Sequence, residues 1–197
     1  MRIPPLKVFG YVALAAPVFF AVMWIASATT DGAWQFGVLS LSDMGISKNP
    51  LSAFLFNFGC IATGICGMFI GFGMFAYGKK TLKTGGIIYM AGMLFLSLVG
   101  VFTLDNYQAH EFVASTFGLV ASAAVLVSSV SDWRLSWYIY ADVFLIVFSA
   151  IQVIAQPFAV WEAFITITAM IWIFIMGIKM LKHESVLFTD TPGVGGN

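Results

Sequence analysis

Apolar residues run along this chain in six long blocks, separated by short polar breaks. The blocks cover 8–28, 51–77, 86–103, 112–130, 135–154 and 158–180. Within each, apolar side chains fall on every face, so neither a strand period nor a one-sided helical stripe describes them. A helix that is apolar all round belongs in a large core or in lipid, and about 20 such residues cross a bilayer. The expected fold is all-α: a polytopic membrane protein of six transmembrane helices in a compact bundle over 1–181, followed by a tail over 182–197 that is expected to be disordered.

The breaks carry local signals. Asn49-Pro50 places a capping side chain before a proline at the first helical position. Pro17 falls inside the first block, where it is expected to kink the helix. Ala26-Ser27-Ala28 has the small-residue pattern of a signal cleavage site, but the apolar run before it is long, and the first block is taken as a span. Gly67 and Gly71 form a small-xxx-small pair that lets another helix approach closely, either within the chain or in a homo-oligomer.

Composition points the same way. The chain is 60% hydrophobic and 9% charged, with mean hydropathy +0.96, whereas soluble domains are about half apolar and a quarter charged. Zero net charge gives no reason to expect nucleic acid; the expected partners are membrane lipids. Cys60 and Cys66 are six apart in one block, about 9 Å along a helix, too far and too differently aimed for a disulfide. They are expected to be buried thiols.

Basic residues set the direction of the spans. Arg2, Lys7, Lys79, Lys80, Lys83, Arg134, Lys179 and Lys182 fall on one side of a six-span topology, and only Lys48 falls on the other. Both termini are therefore expected in the cytoplasm, with the protein in the cell membrane.

Against this apolar background the scarce polar groups become informative. Asp31, Asp43, Asp105, Glu111 and Glu162 are expected at or near the outer face, with His110 and Asn57. Asn57 lies about 10 Å inside the second span and Glu162 about one turn inside the sixth. Ionisable groups in hydrocarbon are costly and normally meet a partner inside the bundle. The expected site is a polar pocket opening to the outer leaflet, with Ser42, Asp43, Asn57, Asp105, His110, Glu111 and Glu162 as ligand-binding candidates. His110, Glu162 and Asp105 are the candidates for acid–base chemistry. The alternative is plain interfacial capping by the same residues. Asp142 lies deeper in the fifth span, as a proton relay or as the partner of a neighbouring hydroxyl. The tryptophans and Tyr107 near span ends suit membrane-interface anchors.

Other chemistries are absent at the level of motif. No His-Glu-x-x-His zinc pattern, phosphate loop or Gly-x-Ser-x-Gly nucleophile occurs. His110 and His183 are separated by a membrane thickness, roughly 30 Å, so they cannot share a haem. A metal is not called for; His110 with Asp105 or Glu162 is the sole arrangement that would suit one. The sequence leaves any cofactor unknown.

Three short blocks together resemble a prokaryotic membrane family catalogued as domain of unknown function 998. They are Ser42-Asp43-Met44-Gly45 with Phe54-Leu55-Phe56-Asn57, then Gly100-Val101-Phe102 with Asp105 and His110, and finally Glu162 with Trp172. The likeness spans nearly the whole chain, with Thr103 where the family pattern has proline and with Asp142 as an addition. It implies six spans, and it extends distantly to eukaryotic six-span proteins of the DRAM, Frag1 and Sfk1 type. It does not imply a reaction. The expected function is binding or processing of a lipid or small amphiphile at the outer pocket. The alternatives are a proton-coupled small-solute transporter and a non-catalytic structural or accessory subunit.

Overall fold

The computed structural model describes residues 3–134 and 136–193, without the side chains of Arg134 and Ser136. Met1, Arg2, Leu135 and 194–197 lie outside the described residues, so the Arg2 and Arg134 side chains of the charge argument and the last residues of the tail are not placed. Six long helices follow one another: α1 (Leu6–Asp31), α2 (Pro50–Tyr77), α3 (Lys80–Val99), α4 (Tyr107–Ser129), α5 (Ser136–Ala155) and α6 (Phe158–Lys182). Each is long and apolar enough to cross a membrane. Short 3-10 turns at Ser42–Ile46, Leu104–Asn106 and Val130–Arg134 connect them.

The helix starts follow from local chemistry. Asn49 accepts from the Leu51 N–H at 3.0 Å, with Pro50 opening α2. The Asn49 amide also donates to the Thr30 carbonyl at the end of α1. Asn106 accepts from the Ala109 N–H and caps α4. That cap makes Tyr107–Glu111 the first helical turn, so α4 starts before 112. Likewise α3 starts at Lys80 rather than 86, and Gly85 and Gly86 lie inside the helix. α1 runs through Pro17 as one helix.

The six helices pack as a ring in chain order. α1 to α4 each lie against the next, α6 returns to α1, and α5 rests on α6 while barely touching α4. The tightest join is α2 with α3. A Cβ on Gly64 would fall 2.6 Å from the Met93 carbonyl oxygen, and one on Gly71 would fall 2.9 Å from that of Gly86. Gly67 faces the Met93 side chain in the same groove. The Gly67/Gly71 face therefore serves α3 of the same chain. The centre of the ring is filled by Trp172, Tyr89, Met93, Met176, Ala124 and Tyr138. The Tyr89 and Trp172 rings are 5.4 Å apart.

The first and last described residues lie at one end of the ring. The Tyr77 hydroxyl, at the end of α2, donates to the Pro4 carbonyl. Residues 183–193 fold back onto the same place, where the N–H groups of Thr189 and Gly193 donate to the carbonyls of Tyr77 and Ala76. Leu187 and Phe188 are buried there. The expectation of a disordered tail thus does not describe 183–193. Two consecutive apolar side chains gain enough by burial, about 1.5–3 kcal/mol each, to hold a short segment down. The end opposite the termini is called the far end below.

Candidate functional site

At the far end, the polar residues singled out from the sequence converge on one segment. Glu162, one turn into α6, accepts from the Leu41 N–H at 2.7 Å and the Ser42 hydroxyl at 3.4 Å. Asn57, two turns into α2, donates to the Gly45 carbonyl at 2.9 Å. Asp43 accepts from the Ser40 N–H and hydroxyl, both at 2.7 Å. Trp34 donates its indole N–H to the Ser40 carbonyl. Together these bonds fasten residues 40–46 across the end of the bundle, with their own Leu41 and Met44 buried in an apolar layer with Phe56 and Ala163.

His110 is buried at the start of α4, but neither carboxylate meets it. Its Nδ1 lies 2.7 Å from the Phe102 carbonyl, which the end of α3 leaves without a helical partner. Asp105 is exposed and accepts from the Thr103 hydroxyl, and Glu111 is exposed. Ser42, Asp43, Asn57 and Glu162 are therefore brought together, while Asp105, Glu111 and His110 stand apart from them. Among the described residues no group of three His, Cys, Asp or Glu side chains could hold a metal ion.

The second cluster lies at the termini end, and sequence reading found only part of it. Lys179, one turn from the end of α6, is fully buried. Its ammonium is paired with Asp132 of the 130–134 turn and lies 3.5 Å from Asp142 of α5. It also sits 5.0 Å from the centre of the Tyr138 ring. The Tyr138 hydroxyl donates to Glu184 at 3.2 Å, which carries the polar contacts out towards the surface. Asp132 and Asp142 are both buried, and neither Asp142 oxygen has a hydrogen bond among the described residues. The partner of Asp142 is thus an ammonium rather than a hydroxyl. The missed signal was depth. Asp142 is six residues from the start of α5 and Lys179 three from the end of α6, about 9 and 5 Å from the same end by helical rise.

Further polar groups follow this cluster towards the middle of the bundle. On α5, Tyr138, Asp142 and Ser149 share a face at helical spacing, and on α6 so do Thr168, Trp172 and Lys179. Ser149 and Thr168 hydrogen-bond across the seam at 2.9 Å. The Trp172 N–H and Tyr89 hydroxyl are buried without a hydrogen-bond partner among the described residues. In an apolar medium such groups are costly to leave unpaired, so this seam is where the bundle tolerates polarity.

Six apolar spans, with ionisable side chains drawn inside the ring, define an integral multi-pass membrane protein. The family model described as "Protein of unknown function (DUF998)" matches residues 13–179, and the chain belongs to that family. The matched region takes in both polar clusters and stops before the folded-back tail. No curated protein and no solved structure matches the chain.

Proposed function

We propose that this protein couples proton movement to transport of a small solute, with Asp142, Lys179 and Asp132 as the proton-handling centre. The observation that carries the reading is the fully buried ammonium held between two buried carboxyl groups. With all three ionised the cluster has a net charge of minus one, and with one proton bound it is neutral. Lipid strongly favours neutrality, so taking up and releasing that proton is an event the rest of the bundle must feel. The thin packing of α5 leaves its acid on the helix with least to hold it. In this reading both termini are cytoplasmic, in the cell membrane, as the basic residues indicate.

The test is proton flux in liposomes containing the purified protein and a trapped pH dye. The wild type should pass protons when solute is supplied, and Asp142→Asn should abolish the flux with the fold intact. Flux absent from the wild type with every solute class tried, or unchanged in Asp142→Asn, would refute the reading.

A second reading, binding or processing of a lipid or amphiphile at the far end, is favoured by the side-chain latches on residues 40–46. Glu162 and Asn57 hold that segment from two different helices, so it can act as a lid. Here lipid bound to the protein, read by native mass spectrometry, should fall in Glu162→Gln and Asn57→Ala. If substitution at both ends alters only stability, the protein is a structural or accessory subunit.

A further inference from the structure

A cavity of about 670 Å³ opens at the termini end, where the α2–α3 turn, the 130–134 turn and the folded-back tail meet. We propose that it binds the headgroup of an anionic phospholipid from the leaflet on that side. Its polar wall is Lys80, Thr81 and Ser131, and its apolar wall is Val130, Trp133 and Val186. The Thr81 and Ser131 hydroxyls hydrogen-bond to each other at 2.6 Å, which commits one proton and leaves the other to donate to a phosphate oxygen.

The three lysines of the turn have different duties. Lys79, on the rim, donates to the Ser185 carbonyl, and Lys83 donates to the Gly193 carbonyl and lies over the Phe75 ring. Lys80 is exposed and has no ion pair or hydrogen bond among the described residues. It brings an uncommitted charge to a wall that carries no carboxylate among the described residues. The nearest acid in the chain, Asp132, is turned inward onto Lys179.

Charge and position select the ligand. The cavity lies where helix ends give way to turns, the level at which helices that span the hydrocarbon meet lipid headgroups. An apolar wall beside a cation and two hydroxyls suits a glycerophosphate, with its acyl chains running down the bundle surface. A volume of this size is within the usual range for a bound small molecule. A free anion in water would gain little from one exposed lysine, whereas a lipid is already confined beside it.

The experiment uses the full chain in nanodiscs of equal phosphatidylglycerol and phosphatidylcholine, released for native mass spectrometry. The wild type should retain phosphatidylglycerol in preference. Lys80→Gln should reduce that retention roughly fivefold, about the effect of one lysine at an anionic surface. Lys182→Gln, exposed at the same end but outside the cavity, should leave it unchanged. Equal retention of the two lipids would overturn the proposal. So would an unaffected Lys80→Gln, an equal loss in Lys182→Gln, or displacement of the lipid by excess inorganic phosphate. Thermal melting of both variants, matched to the wild type, keeps loss of fold from being read as loss of binding.

Discussion

Replacing Lys179 by methionine tests the charge cluster most directly. Methionine keeps the length and much of the volume of the buried stem, so the change is chiefly the loss of one ammonium. At 3.5 Å and an effective dielectric of about 20, each such pairing is worth about 5 kcal/mol of Coulomb energy. The cost of having taken the charges out of water offsets part of that. Removing one partner of a buried ion pair generally costs about 3–5 kcal/mol. Lys179→Met is expected in that range, since two carboxyl groups then share a dry site with no cation. Changing Asp132 and Asp142 to asparagine in the same protein removes the stranded charges, and the triple variant should return to within about 1 kcal/mol of wild type. The assay is reversible unfolding from bilayer-like micelles by a denaturing detergent, followed by helix circular dichroism. A loss below about 1 kcal/mol in Lys179→Met, or a triple variant no better than the single one, would refute the account of the cluster as a mutually dependent unit.

Other outcomes follow from single contacts. Glu162→Gln keeps the shape but loses the charge on the bond to Leu41, so about 1–2 kcal/mol should be lost; limited proteolysis should cut within 38–47 faster than in wild type. Gly64→Ala should cost about 1–3 kcal/mol by forcing α2 from α3. Gly118→Ala on α4, where a Cβ would meet nothing within 4 Å, should instead gain about 0.5–1 kcal/mol from helix propensity; the two variants, compared by unfolding, separate packing from propensity. Phe188→Ala removes a buried ring from the tail. Hydrogen exchange should then rise over 183–193 and at 76–79, while the six helices keep their protection.

The number of spans was legible because lipid imposes its demand on every residue: a block must be long and apolar, and six blocks are. The start of α2 was equally legible in Asn49-Pro50, whose cap is local. Boundaries of α3 and α4 were harder to read. Gly85 and Gly86 look like a turn in sequence, yet they are small because Ser128 and the backbone of α2 lie against them, a reason that only the partner helix supplies. The far-end residues were found by their scarcity, but their partners are mostly backbone groups of Leu41, Gly45 and Phe102, and a backbone N–H or carbonyl has no sequence signature. Lys179 was counted as a surface charge that orients the protein, although it is among the most buried side chains in the chain. Two apolar letters, Leu187-Phe188, were the available sign that the tail would not hang free.

The ring of helices has a weak joint between α4 and α5. There the closure comes from a short turn, with Asp132 on that turn reaching past the joint to Lys179 of α6. A barrel whose loosest stave is held by an electrical clasp behaves differently from one nailed all round: take away the ammonium alone and the stave loosens, while the others keep their places. The seating of the fifth helix and the ionic state of three side chains are thereby tied to the same few ångströms.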